Sequence, residues 1–112
     1  MNTVLERFGY PGHPLDAYRY FVGDSVLMMV KRCLPQDCRD EKTIEKCRLE
    51  LSQEYGERWV NNTKPYPGIP ELLDDLEKRK IPMAVLSNKP HVFTVPMIKT
   101  MLPVPGLILF WV

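Results

Sequence analysis

Three polar residues, Ser87, Asn88 and Lys89, directly follow an apolar run at 81–86. That run has the length and composition of a β-strand that is buried on both faces of a parallel sheet. Ligands of open α/β sheets bind where the strands end, so the hydroxyl, amide and ammonium groups here are candidate ligand contacts. A simple turn after the strand is the alternative, and this pattern alone leaves both interpretations open.

The cysteines and histidines do not form a metal-binding motif. Cys33, Cys38 and Cys47 include no C-x-x-C pair, and His13 and His91 lie far from them along the chain. An odd number of cysteines without such a pair is typical of reduced thiols, and no secretory signal pattern precedes them. We therefore predict a cytoplasmic protein.

Length and composition limit the classes of protein to which the chain can belong. Its 112 residues correspond to about one small domain, and 45% hydrophobic with 26% charged residues is ordinary for a folded protein. The 15 basic and 14 acidic residues leave a net charge of +1, which gives no reason to expect a nucleic acid or an anionic membrane as partner. No apolar run is long enough to span a membrane.

The first half of the chain has the periodicity of helices. Apolar residues at helical spacing predict four helices, at 1–8, 15–22, 26–34 and 41–60. Asp24 or Ser25 can cap the third helix, and Asp40 can cap the fourth. No capping residue precedes the first helix, so we expect that its upstream turns are missing.

The second half has the pattern of an α/β fold. Residues 61–68 are rich in Asn, Thr and Pro and form the predicted linker between two domains. A helix with Pro70 at its first position is predicted directly before the apolar strand at 81–86. A helix candidate weakened by Pro96 and a second strand candidate at 107–112 follow. The predicted fold class is therefore α/β, and mostly helical.

The helix and the strand of the second half carry a defined motif. It consists of Tyr66-Pro67-Gly68-Ile69-Pro70-Glu71-Leu72-Leu73 followed by Met83-Ala84-Val85-Leu86-Ser87-Asn88-Lys89-Pro90. This pattern resembles the second motif of the haloacid dehalogenase superfamily, and more narrowly its phosphoglycolate phosphatase-like branch. The resemblance implies a helical cap domain at 1–62, incomplete at its start, and a partial Rossmann-like core at 63–112 with one or two parallel strands.

The same resemblance implies an activity and a set of site residues. A member of this branch would be a Mg2+-dependent phosphatase that hydrolyses a small phosphate monoester, with 2-phosphoglycolate as the candidate substrate. Ser87 would donate a hydrogen bond to the phosphoryl group during transfer. Asn88 and Lys89 would add an amide and a cation to the same phosphate-binding edge.

Gly23, Asp24 and Ser25 resemble the substrate-facing loop of the family's cap. They also resemble the opening of the family's fourth, metal-binding motif, but the companion aspartate is absent and the order along the chain is wrong. In a cap loop, Lys31 or Arg32 would contact a substrate carboxylate. The alternatives are a helix N-cap for Asp24 and a solvated helix face for Lys31 and Arg32.

The family's nucleophile has no counterpart in these 112 residues. Enzymes of the family use an aspartate in a D-x-D-x-T motif, and no D-x-D occurs here. We therefore predict a fragment that lacks the first, third and fourth motifs, holds no Mg2+ by itself and does not hydrolyse phosphate esters. A noncatalytic helical interaction module is the alternative function.

Two kinds of partner follow from these predictions. The resemblance implies a small phosphorylated metabolite as the ligand. A central strand with so few neighbours leaves sheet edges unpaired and apolar faces uncovered. We therefore predict low solubility or self-association through the second half.

Overall fold

The computed structural model describes residues 1–111, with side chains as far as Ile108. The chain forms two compact units, of which the first is Met1–Arg58 and the second begins at Trp59. The assignment of 1–62 to a cap and of 63–112 to a core stays a prediction. In the described part of the chain, no helix is both long and apolar enough to cross a membrane.

The first unit is helical. Its helices are α1 (Asn2–Arg7), α2 (Tyr18–Phe21), α3 (Val26–Cys33) and α4 (Glu41–Asn62), and α4 continues past the end of the unit. Helices α1, α3 and α4 confirm three of the predicted segments. The single helix predicted at 15–22 is wrong, because a 3-10 turn at Leu15–Ala17 precedes a one-turn α2 and Val22 is already extended.

Side-chain caps fix the starts of α3 and α4. The Ser25 Oγ atom accepts a hydrogen bond from the Met28 amide at 3.2 Å, and Asp40 Oδ1 accepts one from the Thr43 amide at 2.9 Å. Ser25 is therefore the cap of α3, and the alternative of Asp24 as N-cap is wrong because the Asp24 carboxylate pairs with Arg32 instead. The hydrogen bonds from Thr43 also lower the pKa of Asp40.

A hydrophobic core lies among α1, α3 and α4. Its eight buried residues are Val4, Leu5, Val30, Cys33, Leu34, Ile44, Cys47 and Leu51. The predicted apolar stripe of α4 is therefore buried over its first three turns, whereas Tyr55 and Trp59 stay only half-buried. Removal of this apolar area from water is the main stabilising contribution to the unit.

One carboxylate is buried beside this core. Glu54 is 7% exposed, and its oxygens lie 2.9 Å from Arg7 Nη2 and 2.6 Å from Arg58 Nε. Because Arg7 belongs to α1, the pair joins α1 to α4 through charge as well as through packing. The Arg7 guanidinium also bonds to Glu50, which raises the pKa of Arg7. Glu54 lies three residues after Leu51 and so continues the stripe of α4, but the sequence did not indicate its partner Arg7 in α1.

Burial makes two of the three thiols unreactive. It raises the pKa of Cys33 to about 11 and also raises the pKa of Cys47, while Cys38 is partly exposed. At neutral pH the shift from 9.0 to about 11 leaves roughly a hundredfold less Cys33 thiolate, and the thiolate is the reactive form.

We expect a thiol reagent to modify Cys38 first and to reach Cys33 and Cys47 only after unfolding, as measured by peptide mass spectrometry. Equal labelling rates in denaturant are the control, and equally rapid labelling of native Cys33 would contradict the prediction.

The raised pKa of Cys33 also predicts a dependence of stability on pH. Because the folded state holds the Cys33 proton more tightly than the unfolded state, the free energy of unfolding should fall as the pH rises from 9.0 through about 11.

The second unit contains both helices and strands, as predicted. Helix α5 (Ile69–Lys78), strand β1 (Ala84–Ser87), helix α6 (His91–Met101) and strand β2 (Ile108–Trp111) follow in that order. The two strands are parallel, with Ala84 beside Ile108 and Ser87 beside Trp111. A helix between two parallel, adjacent strands is the βαβ arrangement, which confirms the predicted α/β class.

Strand β1 begins three residues later than the apolar run predicts. The Lys80 amide bonds to the Glu77 carbonyl at 2.8 Å, and the Ile81 amide bonds to the Leu76 carbonyl at 3.0 Å. Lys80 adopts a left-handed conformation with φ +56°, so α5 ends in a Schellman motif without the usual glycine. The start of the apolar run is therefore part of the helix terminus.

The start of α5 differs from the prediction by one residue. The helix begins at Ile69, so Pro70 is its second residue rather than its first.

One face of the two-stranded sheet is exposed. Residues that pair across parallel strands point to the same side, so Ala84, Leu86 and Ile108 share a face, which we term the open sheet face. Leu86 is 72% exposed and Ile108 is 54% exposed. The prediction of a strand buried on both faces is therefore wrong, because no described residue covers this side of β1.

Candidate functional site

The candidate site of the second unit is the turn that follows β1. Ser87 is the last residue of the strand, and its Oγ atom accepts a hydrogen bond from the Lys89 amide at 3.1 Å. Since this bond uses a lone pair of the hydroxyl, the Ser87 proton can be donated to another group. Ser87 and Lys89 are half-buried, and Asn88 is exposed. The three predicted residues thus form one turn at the carboxyl end of a parallel strand.

A buried threonine holds this turn against helix α6. The Thr94 Oγ1 atom lies 3.1 Å from the Lys89 carbonyl oxygen and 3.2 Å from that of Pro90. The amides of Phe93 and Thr94 also donate to the Pro90 carbonyl. Thr94 was not among the residues predicted from the sequence. A signal was present, since a threonine in the first turn of a helix, here four residues after Pro90, can bond back to the preceding turn.

The second candidate group is the loop before α3. Gly23 has φ +149°, a conformation that favours glycine, and the Ser25 hydroxyl is engaged as the cap of α3. Arg32 pairs with Asp24 and donates a hydrogen bond to the Phe21 carbonyl at 3.1 Å. The loop is therefore held on both sides by one guanidinium.

The two basic residues of α3 are Lys31 and Arg32, and the sequence left their roles open. The Arg32 side chain is bound to the loop. It is therefore neither free to contact a substrate nor purely solvated. Lys31 is exposed. The loop belongs to the first unit and the Ser87 turn belongs to the second.

The described side chains do not gather a magnesium site. Within residues 1–111, no group of three or more His, Cys, Asp and Glu side chains is placed to hold a metal ion. Magnesium requires several oxygen ligands in nearly octahedral geometry. The donor set of the described residues therefore does not fit the metal that the family resemblance implies.

A helical first unit, a βαβ arrangement and a polar turn at a strand end are the features that the resemblance to the haloacid dehalogenase class implies. A family model described as haloacid dehalogenase-like hydrolase matches residues 1–102. The chain belongs to this family, which confirms the resemblance of its second motif.

Individual relatives are phosphoglycolate phosphatases. The enzyme of Pseudomonas syringae pv. tomato is 30% identical over 105 residues, which cover 90% of this chain and 38% of the relative. The phosphoglycolate phosphatase of Nitrosospira multiformis is 27% identical over 101 residues, which cover 88% of this chain and 44% of the relative.

A solved structure shares the fold. The crystal structure of a Lactobacillus delbrueckii subsp. bulgaricus protein assigned as a phosphoglycolate phosphatase superposes with a TM-score of 0.84 over 97% of this chain and 55% of that one, at 18% identity. The chain thus spans about two fifths of the length of the curated relatives named above.

Proposed function

We propose that this chain supplies the phosphate-binding strand end and the cap of a haloacid dehalogenase-type phosphatase that acts on a small phosphate monoester. The proposal rests above all on the position of Ser87, at the carboxyl end of a parallel strand and hydrogen-bonded in a defined turn. The names of the relatives make 2-phosphoglycolate the candidate substrate.

The three free cysteines favour a cytoplasmic location, because disulfides are rare in the reducing cytosol.

The chemistry of the turn suits a phosphoryl group. In phosphoryl transfer, negative charge spreads over the equatorial oxygens, and a donor that is already oriented stabilises that charge without reorganisation. Because the Lys89 amide fixes the Ser87 oxygen, the Ser87 hydroxyl can serve as this donor. The Asn88 amide and the Lys89 ammonium would add a second donor and a positive charge at the same edge.

The first unit would provide substrate contacts in the cap. The loop of Gly23, Asp24 and Ser25 is held by Arg32 and by the start of α3, so its backbone is ordered before any ligand binds. Such order lowers the entropic cost of binding. In this proposal Arg32 positions the loop, residues 1–62 form the cap domain and residues 63–112 form part of the core domain.

The proposal does not assign the nucleophile or the metal to this chain. No D-x-D occurs in its sequence, and its described residues gather no acidic cluster that fits magnesium. We therefore expect the 112-residue chain to bind the phosphate group but not to hydrolyse it.

A chimeric enzyme tests the proposal. The segment of the P. syringae pv. tomato phosphatase that aligns with this chain would be replaced by the aligned residues of this chain, which leaves the remainder of the relative intact. We expect Mg2+-dependent hydrolysis of p-nitrophenyl phosphate and 2-phosphoglycolate by the chimera, and none by the isolated chain. In the chimera, Ser87→Ala should lower kcat/KM by about 10²-fold or more, since loss of one oriented donor has effects of this size.

Two variants serve as controls. Ser87→Thr keeps the hydroxyl and should retain most of the activity, and Ser52→Ala removes a hydroxyl from α4 of the first unit and should leave the rate unchanged. A folded chimera that is inactive, or one whose activity survives Ser87→Ala, would contradict the proposal. Turnover by the isolated chain that Ser87→Ala abolishes would show that a nucleophile outside the D-x-D motif operates.

A further inference from the structure

Thr94 is the one buried residue among the described side chains of the second unit, and it is polar. It is 6% exposed, although large apolar residues of the same unit, such as Leu86 and Val92, are at least 70% exposed. A buried hydroxyl is costly unless it forms hydrogen bonds, so the contacts of Thr94 indicate why it occupies this position.

Its hydroxyl is directed at the candidate site. The Oγ1 atom lies 3.1 Å from the Lys89 carbonyl oxygen, and the Lys89 amide in turn donates to Ser87 Oγ at 3.1 Å. Lys89 is therefore held at its amide by Ser87 and at its carbonyl by Thr94. We propose that Thr94 is a positioning residue that keeps the Ser87–Lys89 turn in its phosphate-binding form, an inference that rests on the function proposed above.

Stabilisation of helix α6 does not account for this contact. The Pro90 carbonyl already accepts hydrogen bonds from the Phe93 and Thr94 amides, at 2.9 and 3.0 Å. A threonine hydroxyl that bonds back to the preceding turn generally weakens a helix slightly rather than strengthening it. A methyl group at this position would lose the contacts of the hydroxyl with the Lys89 and Pro90 carbonyls, and both of these residues precede α6 and belong to the turn or its end.

The test compares three forms of the full 112-residue chain. Thr94→Val replaces the hydroxyl by a methyl group of similar size, and Thr94→Ser keeps the hydroxyl. Rapid amide exchange is measured by NMR at Lys89 and, as an internal reference, at Arg79, whose amide bonds within α5. We expect Thr94→Val to accelerate exchange at Lys89 about fivefold, as for loss of one hydrogen bond, with Arg79 unchanged and with rescue by Thr94→Ser.

A double-mutant cycle adds a second measurement. Ser87→Ala removes the acceptor of the Lys89 amide, so the effects of Ser87→Ala and Thr94→Val on Lys89 exchange should be less than additive if both act on one turn. Additive effects would overturn the proposal, as would unchanged exchange at Lys89 in Thr94→Val. Accelerated exchange at Arg79 as well would identify Thr94 as a general packing residue and would equally overturn it.

Kinetics of the chimera connect the turn to function. There, Thr94→Val should lower kcat/KM severalfold and Thr94→Ser should restore it, whereas a purely structural role would lower the yield of folded enzyme without this rescue. The exchange measurement needs no activity, so it separates the two proposals. If Ser87→Ala leaves the chimera unaffected, the proposed function fails, yet the exchange data still decide whether Thr94 orders the turn.

Discussion

Replacement of Leu5 by alanine is expected to lower the free energy of unfolding of the first unit by about 2–5 kcal/mol. Leu5 has no exposed surface and lies in the cluster formed by α1, α3 and α4. Truncation removes its apolar area from the core and leaves a cavity that the surrounding helices fill only in part. Small domains are stable by only about 5–15 kcal/mol, so this change is a large fraction of the total.

The measurement is urea denaturation followed by helical circular dichroism. Leu49→Ala is the matched control, because Leu49 lies on α4 and is 56% exposed, so the same truncation should change the free energy of unfolding by less than about 0.5 kcal/mol. If both variants unfold at the same urea concentration as the original chain, the hydrophobic cluster described for the first unit is not its stabilising core.

Self-association of the chain through the open sheet face is the second large effect that we expect. Leu86 and Ile108 expose apolar side chains on that face, and within the described residues β1 pairs with β2 alone. Unpaired strand edges beside exposed apolar residues favour pairing with another chain. The net charge of +1 provides little electrostatic repulsion between copies.

Light scattering after size-exclusion chromatography would measure the association. We expect the molar mass of the original chain to rise with concentration, and the double variant Leu86→Lys/Ile108→Lys to remain a monomer, because two charges on this face oppose contact between copies. Leu15→Lys adds a charge at a residue of the first unit that is 84% exposed, and it should leave the association intact. A monomeric original chain at every concentration would refute the prediction.

Local signals made the helices predictable. The spacing of apolar residues indicated α1, α3 and α4, and Asp40 was placed correctly as a cap, because capping depends on residues three positions apart. The segment at 15–22 was harder. Between Pro14 and Gly23 it has room for little more than two turns, and its conformation depends on contacts beyond that stretch.

The candidate site was predictable in part. The turn of Ser87, Asn88 and Lys89 was predictable because a polar turn after an apolar strand has a known place in α/β folds, and its role as a phosphate site stays a prediction. Thr94 was not found, since its burial results from the way α6 packs beside the turn. Similarly, the choice between Asp24 and Ser25 as cap was decided by Arg32, which lies in the last turn of α3 and attracts the Asp24 carboxylate.

The amino-acid sequence by itself determined the class of this protein, because helix spacing, the apolar strand and the Ser-Asn-Lys-Pro turn are all local patterns. Only the tertiary structure decided that the buried Glu54 carboxylate is paired with Arg7, and which apolar face stays open on β1. The physical reason is that burial and hydrogen bonding depend on residues distant along the chain, whereas periodicity and capping depend on neighbours within a few positions.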